Sequence, residues 1–142
     1  GYATLMGLAR HGDLYRCGVS WVAVTDPRLL FRSDWLSDFN DEFRQYTLPQ
    51  MVGDPVADAA MLAEVAPVEL AAKLKTPLLL AFGGQDRRVP LEHGLRLREA
   101  MQAAGSEPEW IVYDAEGHGW IKPENRYDFA RRMETFLAKH LK

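Results

Sequence analysis

Leu78–Phe82 reads LLLAF and is followed at once by Gly83–Pro90, GGQDRRVP. Five consecutive apolar residues without polar alternation are typical of a parallel strand that is covered on both faces. Two further apolar runs, Gly18–Val24 (GVSWVAV) and Trp110–Tyr113 (WIVY), lie before and after it and also predict strands. Helical segments separate the three runs, so the sequence predicts an α/β fold with about three parallel strands and right-handed crossovers.

Three segments carry apolar residues at helical spacing and predict helices that flank these strands. They are residues 1–10, Pro90–Ala104 and Pro123–Leu141. Gly105 directly follows the second segment and is a favourable residue for ending a helix.

The segment from Pro27 to Leu74 is mainly helical in pattern and much longer than an ordinary crossover, which indicates a helical excursion between the first two strands. Asp26-Pro27 and Asp54-Pro55 each combine an N-cap residue with a proline suited to the first helical position. The excursion is rich in aromatic residues, for which packing is the expected role: Phe31, Trp35, Phe39, Phe43 and Tyr46.

The composition excludes several classes of protein. The chain has 142 residues and a formal net charge of −3, without the basic stripe that nucleic-acid binding requires. No apolar run approaches the roughly 18 residues needed to cross a membrane. The single cysteine, Cys17, rules out an internal disulfide and a cysteine-based zinc site and is compatible with a cytoplasmic location. We expect neither a metal nor another cofactor.

Two titratable residues follow neighbouring strands in glycine-rich settings. Asp86 comes after Leu78–Phe82, and His118 comes after Trp110–Tyr113. Because ligands bind at the carboxyl ends of parallel strands, and the two residues are one strand–helix–strand unit apart, we expect them to meet. A carboxylate beside a histidine fixes the imidazole tautomer and stabilises the imidazolium that forms when the histidine accepts a proton from a nucleophile.

The order nucleophile, acid, histidine is that of α/β-hydrolases, in which a serine in a G-x-S-x-G elbow precedes the other two. No serine of this chain fits that motif. Ser20 lies inside a predicted strand and lacks the closing glycine, and the remaining serines have no elbow context: Ser33, Ser37 and Ser106. The first predicted helix, however, is the one that should follow an elbow.

The other polar candidates favour structural roles. Asp114 is expected to be a structural strand-exit residue and Cys17 a small core residue. Arg87 and Arg88 are expected in solvent or in ion pairs. The remaining histidines are expected on helix surfaces or at a helix end: His11, His93 and His140.

Three motifs resemble the C-terminal part of the catalytic domain of the prolyl oligopeptidase family of serine peptidases. Gly1–Thr4 resembles the tail of the family's nucleophile motif. Lys75–Pro90 ends in the D-x-x-V-P form that carries the family's catalytic aspartate, and Glu116–Gly119 resembles the segment with its catalytic histidine. Within the family, the chain is most similar to the acylaminoacyl-peptidase and dipeptidyl-peptidase branches.

The resemblance implies a fold and two catalytic roles. Residues 1–142 would be a partial α/β-hydrolase catalytic domain, with the nucleophilic serine three residues before Gly1 and the earlier strands also upstream. Asp86 would be the triad acid and His118 the general base and acid. The chain by itself would then be inactive, while the parent protein would hydrolyse peptides or acyl-peptides without a cofactor.

Substrate contacts are implied at the end of the first strand. Val24 would touch the pocket for the residue that precedes the scissile bond, and Trp21 and Val22 are further candidates for the same wall.

Two alternatives remain open. The D-x-x-V-P form also fits a carboxylesterase or a dienelactone-type hydrolase, since a fold does not choose a substrate. The chain could instead act as a non-catalytic, self-associating module, because Gly18–Val24 would be a sheet edge without its neighbour. We therefore expect a homo-oligomer or association with the missing half.

Overall fold

A computed structural model describes all 142 residues and contains one parallel sheet of three strands. The strands are β1 (Gly18–Trp21), β2 (Leu78–Gly83) and β3 (Glu109–Tyr113), in the spatial order β1-β2-β3. The predicted α/β arrangement is confirmed, with the most apolar run at the centre of the sheet.

Five α-helices accompany the sheet. They are α1 (Tyr2–His11), α2 (Leu48–Val52), α3 (Ala59–Glu64), α4 (Glu92–Ala103) and α5 (Pro123–His140). Pro123 occupies the first turn of α5, and Gly105, just beyond α4, has a φ of +75° that favours glycine. None of these helices has the length and the apolar character that a membrane crossing requires.

Every residue of β2 is buried, and its side chains alternate between the two faces of the sheet. One face packs against α1 and α4 through Leu5, Leu8, Leu78, Leu80, Phe82, Leu97 and Met101. The other face packs against α5 through Leu79, Ala81, Ile111, Phe129 and Phe136. Burial of such a side chain stabilises the fold by about 1.5–3 kcal/mol, so β2 contributes to both layers of the core.

The excursion between β1 and β2 is helical, as expected, but it consists of short pieces. Besides α2 and α3 it holds 3₁₀ turns at Pro27–Arg32, Asp34–Asp38 and Ala71–Lys73 and a π-helical turn at Phe43–Thr47. The Asp26 carboxylate accepts a hydrogen bond from the Arg28 amide and caps the first turn, as predicted.

Two predicted boundaries were wrong. Asp54 accepts hydrogen bonds from the amides of Val56 and Ala57 but caps an isolated turn, so the next helix begins only at Ala59. The first strand ends at Trp21 rather than Val24, because Val22 has a φ of +46° and turns the chain out of the sheet.

Candidate active site

Asp86 lies in the turn that follows β2, with its side chain buried. Its Oδ1 accepts hydrogen bonds from the backbone amides of Arg88 (2.9 Å) and Val89 (3.0 Å). These two bonds fix the carboxylate plane and leave Oδ2 for a different partner.

That partner is His118, in the loop between β3 and α5. Its Nδ1 lies 2.8 Å from Oδ2 of Asp86, and the side chain is 33% exposed. An ionised carboxylate only accepts hydrogen bonds, so Nδ1 carries the proton and Nε2 of the neutral ring is an acceptor. The structure thus brings the two predicted residues together and leaves Nε2 available to a group that can lose a proton.

The two loops meet because the strand ends are tightly packed. Gly83 pairs with Tyr113 at the end of the β2–β3 ladder, and the Gly84 amide donates to the Tyr113 carbonyl (3.0 Å). A Cβ on Gly83 would lie only 2.2 Å from the carbonyl oxygen of Gly117. A larger residue at position 83 would therefore push the His118 loop away from the Asp86 loop.

His93 was predicted on a helix surface, and that prediction was wrong, because the side chain is completely buried. Its Nδ1 accepts a hydrogen bond from the Thr25 amide (3.1 Å), and the Thr25 hydroxyl donates to the His93 carbonyl (2.7 Å). Burial lowers the pKa of His93 to about 4. The sequence did hold a signal, since His93 shares the i, i+4, i+8 face of α4 with buried Leu97 and Met101.

An open cavity of about 530 Å³ lies beside His118. It is lined by Leu30, Trp35, Asp38, Phe39, Arg87, Arg88, Val89 and His118. The apolar part of this lining comes mostly from the excursion, whose aromatic residues were expected to serve mainly in packing. At the exposed side of the cavity, Nη2 of Arg87 lies 3.4 Å from Oδ1 of Asp38.

The three residues predicted to contact substrate lie elsewhere. Trp21 packs on Trp120 and Phe129, with ring centroids 5.3 and 5.2 Å apart, and Val22 packs against the same cluster. Val24 packs against the core on the opposite face of the sheet. None of the three lines the cavity beside His118, and their substrate contacts stay a prediction.

The chain is similar in sequence to a known family and to several known proteins. The sequence model of the prolyl oligopeptidase family matches residues 1–142. The dipeptidyl aminopeptidase BIII of Pseudoxanthomonas mexicana is 35% identical over 146 residues, which cover 99% of this chain and 20% of that protein. A Methylorubrum extorquens protein assigned as a carboxymethylenebutenolidase is 38% identical over 95 residues, 62% of this chain and 33% of that protein.

The fold is also similar to that of a solved structure. The acylaminoacyl peptidase of Pyrococcus horikoshii superposes with a TM-score of 0.83 at 22% identity, over 99% of this chain and 22% of that one. The chain therefore spans about a fifth of the length of the two peptidases that it matches over nearly its whole extent.

Proposed function

Since the chain belongs to the prolyl oligopeptidase family, we propose that it supplies the aspartate and the histidine of a Ser-Asp-His triad to a serine peptidase. Asp86 is the acid and His118 is the general base and acid. The observation that carries the proposal is the 2.8 Å contact between His118 Nδ1 and Asp86 Oδ2, which leaves Nε2 free beside a cavity.

The chemistry follows from that tautomer. A serine oxygen attacks the carbonyl carbon of the scissile bond while Nε2 of His118 takes the hydroxyl proton, and Asp86 stabilises the imidazolium. The same proton passes to the leaving nitrogen as the carbon–nitrogen bond breaks, which leaves an acyl-enzyme. Water then attacks this ester, again losing a proton to Nε2, and the serine recovers its own.

The proposed serine precedes Gly1, and the position of α1 supports this. A Cβ on Gly1 would lie 2.7 Å from the carbonyl oxygen of Trp21, the last residue of β1. Gly1, directly ahead of α1, therefore lies at the carboxyl end of the sheet, the end that also carries Asp86 and His118. Residues 1–142 would form part of a catalytic domain and would not turn over alone.

For the substrate we propose a peptide or an acyl-peptide. The cavity beside His118 offers Trp35, Phe39 and Val89 to an apolar side chain next to the scissile bond. The likeness to a dipeptidyl aminopeptidase supports cleavage of peptide bonds.

Kinetics of the complete polypeptide, with its upstream sequence present, test the proposal. Asp86→Asn and His118→Ala should each lower kcat by on the order of 10⁴, because the wrong tautomer or the missing base stops proton transfer. Asp114→Asn is the matched control, since Asp114 is the exposed carboxylate at the end of β3, and should leave kcat unchanged. Full activity in either triad variant would remove that residue from the mechanism.

An ester hydrolase is the alternative that one observation favours. The match to a protein assigned as a carboxymethylenebutenolidase covers 62% of the chain at 38% identity. Relative kcat/KM on matched peptide and ester substrates separates the two activities. The sequence upstream of Gly1 would also distinguish a peptidase from an ester hydrolase.

A second candidate role is association through β1. In the sheet order β1-β2-β3, one side of β1 has no strand beside it. An unpaired edge offers N–H and C=O groups to another chain. We propose that this edge binds either a second copy or a polypeptide that carries the missing strands.

A further inference from the structure

Glu116 is one of the few buried acidic residues of the chain, at 1% exposure. No cation pairs with it. Three N–H donors satisfy it instead: Oε2 accepts from the Ile121 amide (2.9 Å), and Oε1 accepts from the Lys122 amide (3.0 Å) and from Nδ2 of Asn125 (2.7 Å). These hydrogen bonds hold the pKa of Glu116 below its usual value.

Two of the donors are the amides of Ile121 and Lys122, directly before α5, and the third is the side chain of Asn125 in its first turn. The positive end of the helix dipole favours a carboxylate at this place. Glu116 therefore anchors the segment that leads into α5 and fixes where the chain enters the helix.

The same residue also binds the Asp86 loop. Its carbonyl oxygen accepts a hydrogen bond from the amide of Gln85 (2.8 Å), the residue directly before Asp86. Glu116 thus links two elements that carry no covalent connection near the site, the turn after β2 and the start of α5.

His118 lies within the short loop that these contacts close. The loop runs from Glu116 to Ile121, and an isolated antiparallel β-bridge joins Gly117 to Gly119 on either side of His118. With both ends held by Glu116, the backbone of His118 has little freedom to move relative to Asp86.

We propose that Glu116 is the positioning residue for the imidazole of His118, an inference that rests on the proposed function. It acts through the backbone: the side chain holds the end of the loop at α5, and the carbonyl holds its start against the Asp86 turn. It neither contacts substrate nor transfers a proton.

The test compares Glu116→Gln with Glu124→Gln in the complete polypeptide. Glutamine keeps the shape but turns an NH₂ group toward at least one donor, so the loop loosens. We expect kcat to fall roughly 10- to 100-fold, with KM within about twofold. Glu124 is an exposed carboxylate in the first turn of the same helix, and its variant should keep the original kcat.

A second readout reports the geometry directly. In ¹⁵N-labelled protein, the Nδ1 proton of His118 should give a downfield resonance that is shifted or broadened in Glu116→Gln and unchanged in Glu124→Gln. A merely structural role would lower stability while leaving this signal and kcat per folded molecule intact, and that result would overturn the inference.

If Glu116→Gln fails to fold, the Asn125→Ala variant tests the positioning role of Glu116 instead. It removes one donor and leaves both backbone amides on the carboxylate, so a smaller change in the same two readouts is expected. No change in either readout would count against the inference. Failure here is distinct from failure of the proposed function: activity that survives His118→Ala contradicts the triad, whereas activity that survives only Glu116→Gln contradicts the positioning role.

Discussion

At the residue scale, the contact between Asp86 and His118 follows from spacing. Their separation by one strand–helix–strand unit predicted that they would share a sheet edge, and the structure has them 2.8 Å apart. The role of Glu116 was not predictable from the sequence, because a glutamate in a polar loop gives no sign of burial until its three donors are assembled around it. The same holds for the close approach at Gly83, which depends on a loop more than thirty residues further on.

His93 gives a prediction for acid stability. Its pKa is about 4 in the folded chain and near 6.5 when unfolded, so between these values the unfolded chain binds more protons. The contribution of the neutral His93 side chain to the free energy of unfolding should therefore be complete above pH 6.5. It should fall by about 3 kcal/mol as the pH drops to 4. Urea unfolding at several pH values measures this.

His93→Asn is the matched variant, because Oδ1 of asparagine can accept the Thr25 hydrogen bond and does not titrate. The difference between the two pH curves should isolate the contribution of His93. Parallel curves for the two proteins would show that burial of this imidazole does not govern acid stability.

At the element scale, the sequence predicts a strand most clearly where all of its side chains are buried, as in β2. The unbroken apolar run of β2 requires cover on both faces, and both layers of helices are present. The end of β1 was not predictable, because GVSWVAV reads as strand throughout. The turn at Val22 arises from tertiary packing, which holds a β-branched residue at positive φ against local preference. The excursion was recognised as helical, but its prolines and polar residues break it into short turns.

The free edge of β1 gives the prediction for association. The amide of Gly18 donates to the Pro77 carbonyl, directly before β2, and the amide of Val22 donates to the Ala81 carbonyl within β2. Because successive N–H groups of a strand alternate in direction, the N–H of Val19 faces the open side of the sheet. Sedimentation of the 142-residue chain should reveal dimers or larger species. Val19→Pro removes that donor without touching the ladder to β2 and should shift the chain toward monomer. A monodisperse monomer of the unaltered chain at high concentration would contradict this role for the edge.

At the scale of the whole molecule, the chain presents a covered three-stranded sheet with Asp86 and His118 in contact at one end and an unpaired strand at one side. Both features are consistent with part of a larger catalytic domain, and the chain spans about a fifth of the peptidases that it resembles over nearly its whole extent. Four serines are present, at positions 20, 33, 37 and 106, and neither Asp86 nor His118 hydrogen-bonds to any of them.

Labelling of the complete polypeptide with a fluorophosphonate, followed by mass spectrometry of the modified peptide, tests the triad most directly. We expect one labelled serine upstream of Gly1, a much slower reaction in His118→Ala, and no label on the 142-residue chain alone. A label on any of the four serines within the chain, or a rate that His118→Ala leaves unchanged, would contradict the proposed triad.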